Sequence, residues 1–197
     1  YLLGSYALDV GLSALGRLDP VRLAGHILEN LCEEIQETVA LAVWGNRGAT
    51  IVRIVDSGAP ITITLRAGTV LPLCKSATGQ AFAAFFRSPF LKQMLDQELR
   101  EISETSKIAI TTARRQLEKT LTEIRRHGIS RASGSLTPGI NGFSAPVFDH
   151  SGMMVAAITS LGTVGEFSVE WDSPVAKAML AAAGDLSRKL GFNRPEC

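Results

Sequence analysis

Residues 128–162 constrain the fold of this chain more than any other stretch, because three β-strands follow one another there with only loops between them. The segments 129–134, 140–148 and 153–161 read as strands, and the residues that divide them, Pro138-Gly139 and Asp149-His150-Ser151-Gly152, are turn formers. Earlier in the chain, Val39-Ala40-Leu41-Ala42-Val43-Trp44 and Ala49-Thr50-Ile51-Val52-Arg53-Ile54-Val55-Asp56 are two more β-rich runs. Gly45-Asn46-Arg47-Gly48 lies between them and permits the positive φ angles that a hairpin turn needs, and Ile61-Thr62-Ile63-Thr64-Leu65 alternates apolar and polar residues as a strand with one buried face does.

Helices frame these strands. Asp19-Pro20 supplies an N-cap and a first-turn proline, and Leu23, Ile27, Leu31 and Ile35 continue at four-residue spacing to about Gln36. Ser76 or Thr78 can cap a helix through Ala81-Phe82-Ala83-Ala84-Phe85-Phe86, and Ser88-Pro89 reads as the start of a further short helix. Residues 96–108 are polar without a clear apolar period and are expected as exposed helix or loop. A helix from Thr111 or Thr112 carries Leu117, Leu121 and Ile124 and stops at Gly128, and Ser173-Pro174 begins another that runs to Leu190 and Gly191. Residues 2–16 have leucines at helical spacing interrupted by Gly4, Gly11 and Gly16, each costing roughly 1 kcal/mol relative to alanine, and are expected as a short helix. Strands and helices come in groups rather than in strict alternation. That grouping predicts an α+β domain with a mainly antiparallel sheet flanked by helices.

Composition bounds what such a domain does. A chain of 197 residues, 46% hydrophobic and 20% charged, is long enough to bury roughly 70% of its unfolded surface. Its 20 Lys and Arg against 19 Asp and Glu leave a net charge of +1, which gives no general electrostatic reason for nucleic-acid binding. Cys32, Cys74 and Cys197 are odd in number and lack CxxC spacing, so neither a disulfide framework nor structural zinc is expected, and a reducing cytoplasm fits. No apolar run reaches membrane-spanning length and no signal peptide opens the chain. The chain opens on Tyr1 and not on Met, so the expectation is that more sequence precedes it.

Two segments carry a family resemblance. The strand, the Pro-Gly loop, Ala145-Pro146-Val147-Phe148-Asp149, the Gly152 turn and Val155-Ala156-Ala157-Ile158-Thr159-Ser160-Leu161-Gly162 together resemble the effector-binding domain of the IclR family of bacterial transcriptional regulators. Gly68-Thr69-Val70-Leu71-Pro72-Leu73-Cys74-Lys75-Ser76-Ala77-Thr78-Gly79-Gln80-Ala81 resembles that family's glycine, Leu-Pro, small-residue and Gly-Lys-Ala helix start. The resemblance spans nearly the whole chain and implies a GAF-like effector-binding domain over residues 19–192, with 1–18 a linker helix or arm from an N-terminal DNA-binding domain and 193–197 a C-terminal tail. It implies a cytoplasmic small-molecule sensor that is a homodimer or homotetramer, is not an enzyme, needs no cofactor or metal, and reaches DNA only through a winged helix-turn-helix domain outside this chain.

The same resemblance implies a cavity lined by Leu71, Ala77 and Thr78, by Ala132, by Ile140 and Gly142, and by Thr159 and Leu161. Strand alternation agrees in part, since 140 and 142 share one face, as do 159 and 161. From local chemistry, Ser76, Ala77 and Thr78 stand where a helix start offers unpaired N–H groups to an anion or carbonyl, although Ser76 or Thr78 also serves simply as a cap. Where family members that sense small oxo-acids have an acidic run, a strand cysteine and two serines, this chain has Arg131-Ala132-Ser133-Gly134, Gly142, and Thr159 with Leu161. A roomier, less polar pocket follows, suited to an aromatic or larger carboxylate metabolite. Arg131 has two readings, a partner for that carboxylate or a solvated arginine at a strand end.

Two other functions stand beside the sensor. One is a free-standing GAF-like module that binds a metabolite for another output. The other is an enzyme using Cys74 or one of His26, His127 and His150, for which no HExxH motif, paired carboxylates or nucleophile elbow is present. Cys74 reads more readily as a small packed hydrophobe than as a reactive thiol.

Overall fold

The computed structural model describes residues 18–58 and 65–193. The expected helix at 2–16, the strand at 61–65 apart from Leu65, and the tail beyond 193 lie outside the described residues, and Leu65 itself is not in a strand. Helix α1 (Pro20–Ile35) begins as its sequence predicts, with the Asp19 side chain accepting a hydrogen bond from the Val21 amide and proline in the first turn. Strands β1 (Thr38–Gly45) and β2 (Gly48–Val55) form the expected hairpin. Helices α2 (Ala77–Phe85), α3 (Leu91–Ser106) and α4 (Ile110–His127) follow, and then β3 (Ser130–Ser133), β4 (Ile140–Phe148), β5 (Met154–Thr163) and α5 (Pro174–Lys189).

All five strands join one sheet in the order β2-β1-β5-β4-β3, and every neighbouring pair is antiparallel. Alternation divides their side chains between two layers. Val39, Leu41, Phe143, Ala145, Val147, Ala156 and Ile158 pack with Leu28, Leu31, Met179 and Leu186, so α1 and α5 cover one face. Ala40, Ala42, Ile51, Met154 and Ala157 pack with Ala81 and Phe82 of α2 on the other face. Ala83 carries that second layer outward to Leu99 of α3 and to Leu117, Leu121 and Ile124 of α4.

The sequence reading of 88–108 needs correction. Pro89 and Phe90 form a turn, the helix proper starts at Leu91, and it is not short: it continues for 16 residues to Ser106. Leu91, Met94, Leu95, Leu99 and Ile102 recur on it at helical spacing, and Leu95, Leu99 and Ile102 pack towards α4; a window opened at residue 96 cuts this period in half.

Candidate ligand cavity

A cavity of about 200 Å³ lies between the start of α2 and the β4–β5 end of the sheet. One wall is a segment that runs along β2. The Gly68 amide donates to the Ile51 carbonyl, the Ile51 amide to Thr69, and the Leu71 amide to Ala49, so the chain is held on the sheet edge until Pro72 turns it towards α2. Ser76 then caps the helix. Its Oγ accepts from the Gly79 amide at 2.8 Å and donates to the Pro72 carbonyl at 2.7 Å. Among the described residues no acceptor meets the Ala77 or Thr78 amide, and both residues line the cavity.

Helix and turn approach closely here because residue 79 is glycine. A Cβ at Gly79 would sit 2.1 Å from the Pro72 carbonyl oxygen and 2.6 Å from the Leu73 Cα, both backbone atoms that cannot rotate away.

The sheet supplies the opposite wall. Ala132 of β3, Ile140 and Gly142 of β4, and Thr159 and Leu161 of β5 line the cavity, as the resemblance implies for them and for Leu71, Ala77 and Thr78. Ser76 also lines it, with its hydroxyl committed to the cap. Three buried hydroxyls form a chain across the gap. Thr78 Oγ1 lies 2.8 Å from Thr159 Oγ1, which lies 3.0 Å from Ser144 Oγ. Three hydroxyls own three protons and these two contacts use two, so the chain can change its polarity and keep one further donor, at Thr78, Thr159 or Ser144.

No side chain among the described lining residues is ionisable; the rest of the lining is Leu65, Thr69, Leu136, Thr137 and Asn141. Leucine, isoleucine, alanine and glycine supply most of the cavity's exposed wall. Its roominess is limited, because the space left by Gly142 is partly taken by Leu161: a Cβ at Gly142 would meet Leu161 Cδ2 at 2.8 Å. The volume lies below the roughly 300–1,000 Å³ of pockets for drug-sized ligands.

Arg131 does not reach this cavity. Strand alternation that turns Ala132 inward turns Arg131 away, and its guanidinium lies 4.0 Å above the Trp171 ring while Nη1 donates to the Val169 carbonyl at 2.7 Å. His127 stacks on the same Trp171 ring at 4.3 Å. Neither expected reading of Arg131 fits, since it is held by an aromatic ring and a carbonyl.

Sequence reasoning missed Leu65, Thr69, Leu136, Thr137, Asn141 and Ser144. Ser144 was available from alternation, two residues beyond Gly142 on the same strand face. Leu136 and Thr137 belong to the loop between β3 and β4, which folds over the cavity when Ser135 Oγ donates to the Lys75 carbonyl at 2.8 Å. A loop packed through a contact 60 residues away leaves no local periodicity to read.

Cys74 is not poised as a nucleophile. Burial, followed by the nearby Glu98 carboxylate, outweighs Lys75 and pushes its thiol up to about 12. His26 is exposed beside Glu29, His127 is stacked on Trp171 and His150 is exposed in its turn, so none lines the cavity. Among the described residues no cluster of His, Cys, Asp and Glu could hold a metal ion, and no helix is long and apolar enough to cross a membrane.

With this geometry in view, similarity to known proteins is informative. The sequence model of the family described as "Bacterial transcriptional regulator IclR C-terminal" matches residues 12–188. The crystal structure of Pseudomonas aeruginosa HmgR is 35% identical and superposes with a TM-score of 0.86, covering 98% of this chain and 75% of that one. The Thermotoga maritima IclR structure is 25% identical with a TM-score of 0.74, covering 98% and 76%. RhmR of Escherichia coli, an uncharacterised HTH-type transcriptional regulator, is 28% identical over 92% of this chain and 69% of its own length.

Proposed function

The chain belongs to the IclR-type bacterial transcriptional regulators as their C-terminal, ligand-sensing domain, and from that membership we propose that the cavity at the start of α2 is its effector site. The observation that carries this reading is that Ala77 and Thr78, whose helix-start amides meet no acceptor among the described residues, line an uncharged cavity together with Thr159, the middle hydroxyl of the buried chain. Such a cavity suits a compact ligand with one anionic or carbonyl end and an apolar body. The Ala77 and Thr78 amides and the partial positive charge of the helix start meet the anionic end, Thr78 fixes its orientation, and Leu71, Ile140 and Leu161 cover the body. An aromatic monocarboxylate of single-ring size has this chemistry.

Binding is proposed to act without turnover. The lining offers no general base, and the nearby Cys74 holds its proton at neutral pH. Occupancy is read out as a change in DNA binding by the N-terminal domain of such regulators, through a dimer or tetramer whose arrangements bind the effector with unequal affinity. Cytoplasmic location follows from this role.

A thermal-shift and calorimetric panel of benzoate, 4-hydroxybenzoate and pyruvate tests the class of ligand, because a molecule bound only by the folded state raises apparent stability by mass action. The aromatic acids are expected to stabilise the protein and pyruvate to do so weakly. Stabilisation by pyruvate alone would overturn the proposed ligand class, and binding undiminished in Thr159→Val would move the site elsewhere.

A further inference from the structure

Helix α3 buries only Leu91 and Leu99 and packs mainly on α4, yet one of its side chains reaches the turn that precedes α2. Glu98 Oε1 accepts a hydrogen bond from the Leu73 amide at 2.8 Å, and its Oε2 accepts one from the Cys74 amide at 2.9 Å. One carboxylate thus holds two consecutive peptide groups and fixes the orientation of both. The rest of this turn is tied down as well. The Pro72 carbonyl accepts from Ser76, the Cys74 carbonyl from Gln80 Nε2, and the Lys75 carbonyl from Ser135 of the loop over the cavity. Of these bonds only those of Glu98 come from the outer helical layer, and the turn they hold leads directly into the free amides of Ala77 and Thr78.

We propose that Glu98 is a positioning residue for the effector site, holding the 72–76 turn so that the α2 amides face the cavity and thereby coupling helix α3 to occupancy. The coupling rests on the reading of the cavity as the effector site; the clasp itself rests on geometry alone. Glu98 touches no ligand. Linkage makes the coupling reciprocal: a contact that displaces α3 changes effector affinity by the same factor as the effector changes that contact.

The test compares Glu98→Gln, which keeps the shape of the side chain but removes its charge and one acceptor, with Glu101→Gln one turn further along α3 in the same cleft. Three readouts are taken on the whole domain: amide hydrogen exchange over residues 73–79, the pH profile of Cys74 alkylation located by mass spectrometry, and benzoate affinity. Glu98→Gln is expected to speed exchange at 73 and 74, to raise Cys74 alkylation about tenfold for each unit by which its thiol titrates lower, and to weaken benzoate binding about tenfold with little change in Tm. Glu101→Gln is expected to leave all three unchanged. If exchange and alkylation in Glu98→Gln match those of Glu101→Gln, the clasp does not exist and the proposal falls. If they change while wild-type affinity for benzoate is retained, Glu98 holds the turn but does not position the site, and the proposal also falls. If benzoate fails to bind even the wild type, the assigned ligand is wrong, while exchange and alkylation still decide the clasp.

Discussion

At the scale of single residues, the cavity depends on a few polar atoms placed in an apolar surround. Thr159 is the middle hydroxyl of its chain, so Thr159→Val leaves Thr78 and Ser144 buried without their shared partner. A loss of about 2 kcal/mol is expected, in the range for unsatisfied buried groups, which lowers Tm by roughly 6 °C in a domain of this size and is measurable by calorimetry. Unchanged stability would mean that the hydroxyls are not coupled. Arg131→Ala is expected to have the opposite profile: effector affinity stays within twofold in a titration, whereas Trp171 loses its cationic neighbour and stability falls by about 1 kcal/mol. A reading that placed Arg131 in the pocket predicts instead a large loss of affinity in the same titration.

At the scale of elements, close approach and turn chemistry decide the outcome. Gly79→Ala drives a methyl group into the Pro72 and Leu73 backbone, so α2 must lift from its preceding turn. A cost of about 3 kcal/mol and a fall of roughly 10 °C in Tm are expected by thermal denaturation. The turn between β4 and β5 carries a pH dependence. Burial raises the Asp149 carboxyl, but hydrogen bonds from the Ser151 hydroxyl and from the Met153 and Ser151 amides, with His150 nearby, prevail and hold it below the usual range. A depressed carboxyl contributes stability above its unfolded value of about 4 and loses it as pH falls through the folded value. The Tm difference between wild type and Asp149→Ala is therefore expected to shrink between pH 6 and pH 3, and a constant difference would show that the carboxylate charge plays no part. The turn and capped helices were legible because Asp149, Gly152, Ser76 and the pairs Asp19-Pro20 and Ser173-Pro174 act within four residues of their effect. Helix α3 was read only in part, because its apolar residues Leu91, Met94, Leu95, Leu99 and Ile102 straddle the division drawn at residue 96, and neither half alone carries enough of the period to show it.

At the scale of the whole molecule, a twisted antiparallel sheet covered on both faces positions a cavity that no single segment contains. Most of the lining was readable from two motifs and strand alternation, whereas the loop residues Leu136 and Thr137, and the Glu98 clasp, depend on contacts distant in sequence. The family match and the superposition on HmgR agree with this architecture over nearly the whole chain. The most direct test of the central claim is isothermal titration of the purified domain with single-ring aromatic carboxylates, repeated on Gly142→Ala. In that variant the new methyl group meets Leu161 Cδ2 and the Ser160 carbonyl oxygen, and so narrows the cavity from the sheet side. Saturable one-site binding by wild type, weakened at least tenfold in a folded Gly142→Ala, is the result expected of an effector site at the start of α2. Equal binding by both proteins would place the ligand elsewhere and contradict the account.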